Sequence, residues 1–209
     1  RLSGHPGAMT DAFGIPEDDL DPRTALDTVA DVIRTRRTSL LMDRDRPVPL
    51  EMIAELCGLA TWAPNHKKTW PWRFALFTDQ GRATLGETMV EDMVAADFGD
   101  EGKRLKTAGK YLRSPAVLVV GCVPNENPML DIENRDSVSA GIQNLLLGAT
   151  AMGLASFWST PALTYPPRVL DLCGFDPTDR LVGIIYLGWP DGSTTPPERP
   201  QVPITHVTT

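Results

Sequence analysis

Two short basic segments interrupt a chain whose formal net charge is −7. In the first, residues 34–38 (RTRRT), two adjacent arginines are followed by the hydroxyl group of Thr38. If an apolar helical stripe continues past Ile33, positions 36 and 37 fall on its inward edge, where guanidinium groups need an anion such as phosphate. Cations at the end of a helix also interact favourably with its dipole, and the residue types leave both interpretations open.

The second basic segment is residues 64–68 (PNHKK), inside the aromatic stretch 62–74 (WAPNHKKTWPWRF). Because the Pro-Asn pair favours a turn, we predict a loop between a helix and a strand, with Trp62 and Trp72 in the core on either side. Aromatic rings beside cations and backbone donors would form a wall for a flat anionic ligand. The alternative is a solvated loop whose tryptophans fill the core.

A third candidate segment, residues 157–161 (FWSTP), ends a short predicted strand. Trp158, Ser159 and Thr160 could contact a ligand at the strand end. They could equally form a capped turn in which the tryptophan fills the core.

Apolar periodicity predicts the helices and strands that must position these segments. A first helix starts at Asp21-Pro22 and carries an apolar stripe of Leu26, Val29, Ala30 and Ile33. A second helix, opened by Pro47 and Pro49, is apolar on all sides and is predicted to be buried all round. Further helices are predicted over residues 79–98, 101–113, 137–154 and 166–172, and strands over 73–77, 115–122, 155–158 and 181–188. Helices and strands interleave without a regular alternation, which predicts the α+β class, and the small residues of helix 137–154 suit close helix packing.

The chain has 209 residues, enough for one domain with a sizeable core. We interpret residues 1–8, which precede Met9, as a cloning scar, and residues 9–209 as a single domain. The segment 190–209 contains five prolines between positions 190 and 203, so we predict an extended arm that lies on a surface.

Composition and motifs exclude several classes of function. The acidic charge disfavours nucleic acid as a partner, and no apolar run is long enough to span a membrane. Cys57, Cys122 and Cys173 are predicted to be buried free thiols of a cytoplasmic protein, and no spacing of Cys or His indicates a metal site. The sequence contains no G-x-G-x-x-G, Walker A or G-x-S-x-G motif.

Four motifs, taken in order, resemble the nitroreductase-like, FMN-dependent oxidoreductases. Residues 36–38 (RRT) match R-R-S/T, and residues 64–72 (PNHKKTWPW) match the loop P-S-x-x-N-x-Q-P-W. Residues 143–158 match Q-N-L-L-L-A-A-x-x-x-G-L-G-S-x-W, and residues 185–190 (IYLGWP) match I-x-L-G-x-P before the arginine of the tail. The A-P-x-H-K version of the loop is similar to the short, minimal members of the family.

The resemblance implies a three-layer fold, with a central, mostly antiparallel sheet flanked by helices, and FMN bound at the interface of an intertwined homodimer. It also implies the groups of residues that contact FMN. The phosphate and ribityl chain would be held by Arg36, Arg37, Thr38 and Arg199. The isoalloxazine ring would be lined by Pro64, Asn65 and His66, with Lys67 near the ring edge that becomes negative and Trp158, Ser159 and Thr160 at the other end. Lys68 and Trp70 would also reach the flavin, often from the neighbouring subunit.

The activity that the resemblance implies is transfer of hydride from NADPH or NADH through FMN to an electron-poor acceptor, such as a nitroaromatic or quinone, without a catalytic acid or base. Three departures from the family pattern bear on this, and one of them is Lys68, which stands where asparagine is usual. Leu40 stands where a third basic residue is common, with Arg44 or Arg46 as compensating candidates. Trp70 stands where glutamine is usual, and it could narrow the slot over the ring. The alternatives are reductive dehalogenation, dehydrogenation or oxygen-dependent flavin chemistry, a flavin-sequestering protein, and a dimeric interaction domain.

Overall fold

The computed structural model describes residues 22–208, in two compact units that divide between Arg36 and Arg37. The predicted cloning scar and Asp21 lie outside the described residues, and the single domain stays a prediction. In the first unit, helix α1 (Pro22–Thr35) confirms the predicted helix. Its apolar stripe is exposed, with accessible fractions of 51–67% at the three residues Leu26, Val29 and Ile33.

Helix α1 ends before the arginine pair. The hydroxyl of Thr35 donates to the carbonyl oxygen of Asp31 at 2.6 Å, a side-chain bond that competes with helical backbone bonding. The backbone N–H of Arg36 makes the last helical bond, to Val32 O at 3.0 Å. The prediction that positions 36 and 37 continue the helical stripe is therefore wrong, because both follow the last helical residue.

The second unit contains a four-stranded sheet in the order β1-β2-β4-β3. All three strand pairings are antiparallel, which confirms the α+β class and the antiparallel sheet. The strands are β1 (Trp72–Thr78), β2 (Ala116–Cys122), β3 (Ala155–Ser159) and β4 (Arg180–Gly188). Each begins and ends within one residue of its predicted bounds. In β2 and β4 the signal is an apolar run with β-branched residues, which marks a strand that is covered on both faces.

Helices cover both faces of this sheet. Side chains of β2 alternate between the faces, so that Leu118 joins one core cluster and Val119 the other. Helices α2 (Leu50–Ala60) and α5 (Pro128–Ala151) cover the first face. Helices α3 (Gly81–Ala95) and α6 (Pro167–Leu172) cover the second, and α4 (Glu101–Lys110) packs on α3. The result is the three-layer arrangement predicted for the family.

Helix α5 begins nine residues before its predicted start, at Pro128 rather than at position 137. The side chain of Asn127 caps it by accepting the backbone N–H of Met129 at 2.9 Å, and the proline stands in the first turn. Predicted helix 101–113 instead ends as a 3₁₀ turn, Tyr111–Arg113.

Helix α2 is buried on one side only. Ile53, Leu56 and Ala60 are buried, whereas Leu50 is 64% exposed and Leu59 is 38% exposed. The prediction that α2 is buried all round is therefore wrong for the single chain. The buried side packs tightly on α5, because a Cβ at Gly141 would lie 2.6 Å from the carbonyl oxygen of Ala60.

The C-terminal segment 191–208 contains no helix or strand, and its apolar residues, such as Ile204, are exposed. None of the helices within residues 22–208 is long and apolar enough to cross a membrane. The three cysteines are free, with Cys122 buried and the other two half-buried. Burial raises the pKa of Cys57 to about 11 and that of Cys173 to about 12.

Candidate functional site

The loop that precedes β1 is organised by the side chain of Asn65. Its Nδ2 donates to Thr69 Oγ1 at 2.9 Å, and its Oδ1 accepts the backbone N–H of Trp70 at 3.0 Å. Nδ2 also lies 3.4 Å from Ser137 Oγ on α5. One amide therefore closes the loop and joins it to the helix, which explains why an asparagine stands at its start.

The same loop contains three non-glycine residues with left-handed backbone. Lys67 has φ 61°, Lys68 has φ 53° and Trp70 has φ 51°. Each such residue costs roughly 1–2 kcal/mol relative to a right-handed backbone. Strain of this kind persists only where surrounding contacts determine the conformation, and it concentrates at functional sites.

Two further contacts fix the loop to the N-terminal half of α5. Thr69 Oγ1 donates to Asn134 Oδ1 at 2.5 Å, and the buried Asn134 donates in turn to Val123 O at 3.1 Å. His66 Nδ1 lies 2.7 Å from Glu133 Oε2. With Ser137, these helix residues form a polar patch that was not predicted. The sequence feature that could have revealed this patch is the run of three polar residues at positions 133, 134 and 137, which lie on one side of the helix.

The tryptophans around the loop differ in their environments. Trp72 is buried, with 7% of its surface accessible, as predicted, but Trp62 is 84% exposed, and its predicted place in the core is wrong. The backbone N–H of Trp62 bonds Leu59 O at 3.2 Å in the turn after α2, where its side chain faces solvent. Trp70 is 59% exposed, with its ring centroid 6.2 Å from that of Trp72.

The segment after the arginine pair lies along the edge strand of the sheet. Thr38 forms a parallel bridge with Ser156 of β3, and Ser39 N donates to Ser156 O at 2.9 Å. Ser156 Oγ is buried and has no hydrogen-bond partner among residues 22–208. Arg37, which directly precedes Thr38 in the sequence, is half-buried. The edge of β3 thus combines hydroxyl groups with a cation.

The residues that depart from the family pattern also have clear places. Leu40 is half-buried and packs on the second core cluster, so a basic side chain there would lose apolar contact. The guanidinium carbon of Arg46 lies 3.8 Å from the ring centroid of Trp189, and Arg44 lines a separate cleft of about 400 Å³.

The end of β3 places Trp158 on the sheet face that α5 covers. Its indole nitrogen occupies the space above Gly183, where a Cβ would lie only 2.6 Å away, and Ile142 of α5 borders the same space. Trp158 is 36% exposed, so its side chain does not simply fill the core. Ser159 Oγ donates to the carbonyl oxygen of Thr160 at 3.3 Å, which forms the local turn.

The fold thus brings several of the predicted segments to one face of the sheet. The loop 65–70 and Trp158 both lie against α5, and Thr38 lies on the neighbouring edge strand. Arg199 is exposed on the C-terminal segment, away from any helix or strand. Arg36 belongs to the other compact unit. Two clefts of about 400 Å³ in the described chain are lined by other residues.

The architecture defines an α+β protein with an antiparallel sheet covered by helices. A polar loop is hydrogen-bonded to the long helix α5. Residues 33–189 match the model described as the Nitroreductase family. The chain therefore belongs to the nitroreductase family, and the resemblance drawn from its motifs is confirmed.

Similar proteins extend over most of the chain. YfhC of Bacillus subtilis (strain 168), provisionally named an NAD(P)H nitroreductase, is 31% identical to this chain over 163 residues. The match covers 77% of this chain and 84% of YfhC. A nitroreductase-like family protein from Bacillus cereus has a crystal structure with TM-score 0.70 and 28% identity, covering 84% of this chain and 91% of the other. Oxidized iodotyrosine deiodinase bound to FMN and 3-iodo-L-tyrosine shares the fold, with TM-score 0.66, 21% identity and coverage of 87% and 100%.

Proposed function

We propose that this chain is an FMN-dependent oxidoreductase that passes hydride from NADPH or NADH through FMN to an electron-poor acceptor, such as a nitroaromatic or quinone. Family membership and the name of YfhC support the reductase class. The observation that carries the proposal is the strained loop of Lys67, Lys68 and Trp70, held rigidly against α5. A cationic wall of this kind suits a flat ligand that becomes negative on reduction.

The side chains present fit FMN. At the edge of β3, the unpartnered buried hydroxyl of Ser156, the hydroxyl of Thr38 and the half-buried Arg37 offer hydrogen-bond donors of the type that phosphate and ribityl oxygens accept. On the same face, the exposed parts of Trp70 and Trp158 offer flat apolar surface for an aromatic ring system.

We assign the predicted contacts to FMN accordingly. Arg36, Arg37 and Thr38 would hold the phosphate and ribityl chain, and Arg199 would reach the phosphate from the extended arm. The other contacts would line the ring: Pro64, Asn65, His66, Lys67, Lys68, Trp70, Trp158, Ser159 and Thr160. The hydrogen bond of Asn65 to Thr69 and the contact of His66 with Glu133 of α5 support this assignment, because ring-lining groups must keep their positions.

Bound FMN would supply hydride acceptance and donation, and the chain would supply position and charge. Lys67 and Lys68, fixed by the loop backbone, would stabilise negative charge at the ring edge. Trp70 would cover the ring and restrict the acceptors that reach it. No side chain has to donate or remove a proton in this scheme.

The proposal includes a cytoplasmic homodimer that completes the site. Exposed apolar side chains on α1 and α2, such as Leu26, Val29 and Leu50, and on the C-terminal segment, such as Val202 and Ile204, support it. Large apolar side chains exposed in this number are typical of a surface that a partner covers.

The test is anaerobic titration of the purified protein with NADPH and NADH while the flavin absorbance is recorded. We expect loss of the oxidised flavin bands with at least one nicotinamide, and their return when a nitroaromatic or quinone is added. A protein that neither contains nor takes up FMN would contradict the whole proposal. A flavin that both nicotinamides leave oxidised would favour the sequestering alternative.

Two variants locate the site within that test. Arg37→Ala should weaken FMN binding by about tenfold or more, since a charge-assisted hydrogen bond to phosphate is lost, whereas Arg135→Ala, an exposed cation on α5, should not. Trp70→Gln should leave FMN binding intact and change the relative rates with small and bulky acceptors. An unchanged acceptor profile would contradict the role of Trp70. The iodotyrosine deiodinase fold makes 3-iodotyrosine a useful additional acceptor, whose turnover would favour dehalogenation.

A further inference from the structure

A basic cleft of about 410 Å³ lies along α4 and the 3₁₀ turn that follows it. Its lining consists of four cationic side chains with Thr107 and Gly109, the cations being Lys103, Lys106, Lys110 and Arg113. Tyr111, in the same turn, packs in the core cluster of α3 and α6, whereas the loop 65–70 packs on α5. The cleft and the loop 65–70 therefore lie on opposite faces of the sheet.

The spacing of the cations on α4 directs them to one side. Positions 103, 106 and 110 follow the i, i+3, i+7 pattern of a single helical face and extend over about 10 Å of helix axis. Like charges at this spacing destabilise an isolated helix. A chain with net charge −7 thus concentrates positive charge on one face of α4, at a cost in helix stability.

The four cations lack the partners that surface cations usually find. Within residues 22–208, none of them forms an ion pair with a carboxylate. Their neighbour Arg104 points elsewhere and lies 3.5 Å from Asp97. Lys103 instead places its Nζ 4.0 Å from the ring centroid of Phe98.

Aromatic rings also lie near the half-buried Lys110 and the exposed Arg113, whose Nε donates to the carbonyl oxygen of Lys110 at 2.9 Å. Lys110 Nζ lies 5.0 Å from the ring centroid of Tyr111, and the guanidinium carbon of Arg113 lies 5.7 Å from that of Tyr186. Both tyrosines are fully buried. Cation–π contacts orient the charges without neutralising them, so the cations remain available to an anion.

Lys110 is the cation most affected by these surroundings. Burial lowers the pKa of its ammonium group, and the neighbouring charges of Arg113 and Lys103 lower it further. A bound anion would relieve both the like-charge repulsion and the incomplete solvation. This distinguishes the cleft from a freely solvated lysine face.

We propose that this cleft binds a small phosphate-bearing anion with at least two negative charges, such as pyrophosphate or the phosphate groups of a nucleotide, separately from FMN. Phosphate oxygens accept hydrogen bonds from both ammonium and guanidinium groups. The length of the lysine row is suited to more than one phosphate group.

The test is isothermal titration calorimetry of the full chain with sodium pyrophosphate, inorganic phosphate and ADP, without FMN and with saturating FMN. We expect pyrophosphate and ADP to bind, inorganic phosphate to bind more weakly, and saturating FMN to leave pyrophosphate binding unchanged. Absence of pyrophosphate binding, or its loss on addition of FMN, would overturn the proposal. If the chain binds no FMN, the proposed function fails while the pyrophosphate result still decides this inference.

Lys110→Gln and Lys106→Gln should each weaken pyrophosphate binding about tenfold, because each removes one charge-assisted contact. Lys106 is exposed, so its replacement keeps the test valid even if the half-buried Lys110 is needed for folding. Arg135→Gln removes one exposed positive charge from α5 and should change the affinity less than about twofold, since a distant charge is screened by salt. Equal weakening by all three variants would show a nonspecific charge effect and reject the cleft.

Discussion

Replacement of Thr69 by valine should release the strained loop before it affects the rest of the fold. Its hydroxyl group makes two hydrogen bonds, accepting from Asn65 at 2.9 Å and donating to Asn134 at 2.5 Å. Valine has nearly the same shape, so Thr69→Val deletes both bonds and leaves the packing volume almost unchanged. The substitution therefore isolates the polar network.

The expected magnitude follows from the balance within the loop. Three left-handed residues cost roughly 3–6 kcal/mol together, at 1–2 kcal/mol each. Five side-chain hydrogen bonds hold the loop, at about 1 kcal/mol each, and thus contribute about 5 kcal/mol. Loss of the two bonds made by Thr69 should therefore reduce the free energy of local opening by about 2 kcal/mol, roughly a 30-fold change in the opening equilibrium.

Hydrogen exchange measures this opening directly. The backbone N–H of Trp70 bonds Asn65 Oδ1 at 3.0 Å, so its exchange rate reports the closed loop. We expect this rate to rise by about 30-fold in Thr69→Val, while amides of the central strand β2 change much less. Thr150→Val is the matched control, because that hydroxyl donates to Leu146 O at 3.0 Å further along α5.

A Trp70 exchange rate that stays within about threefold of the unaltered chain in Thr69→Val would refute the reasoning. It would mean that the left-handed residues are held by the backbone alone. Equal acceleration in Thr150→Val would refute it in another way, because the loop would then respond to any change in α5.

Three further predictions concern stability and thiol chemistry. Asp92→Ala should lower the free energy of unfolding in urea by about 2–4 kcal/mol, since this buried carboxylate accepts two backbone N–H groups and a guanidinium group at the start of α6. Gly141→Ala should lower the free energy of unfolding by at least about 2 kcal/mol in the same assay, because the added Cβ forces α2 away from α5. Gly58→Ala should raise it by about 0.5–1 kcal/mol, because a Cβ there would meet no neighbouring atom within 4 Å. Equal effects of the two alanines would contradict the packing argument. At pH 8, the folded chain should react with a disulfide reagent more slowly than the unfolded chain, by about 100-fold at Cys57 and about 1000-fold at Cys173, because their raised pKa leaves little thiolate below pH 10. Fast reaction of the folded chain would show that burial does not protect them.

Much of the fold could be predicted because its signals are local. Strands β2 and β4 are continuous apolar runs, and such runs can only be covered on both faces, whatever covers them. Helix α5 shows the limit of this reasoning. Its apolar part was predicted, but its polar first turns were missed, because a capping asparagine and a proline mark the start more reliably than periodicity does.

The candidate site was predictable in its residue types but not in its supports. The loop 64–68 was predicted from its Pro-Asn pair and its charges, and the structure describes a short 3₁₀ turn there, His66–Lys68. The partners Glu133 and Asn134 lie more than 60 residues away in the chain, and no local pattern links them to the loop. Only the packing of the loop on α5 brings these groups together.

The sequence by itself determined the order of helices and strands, the antiparallel class and the family, because these depend on periodicity and on motifs that are read locally. The tertiary structure alone decided which apolar residues are covered. Trp62 and Trp72 are the same residue type ten positions apart, yet the first is 84% exposed and the second 7% exposed. The physical reason is that burial depends on the long-range neighbours of a side chain, and those neighbours are known only once the helices have packed on the sheet.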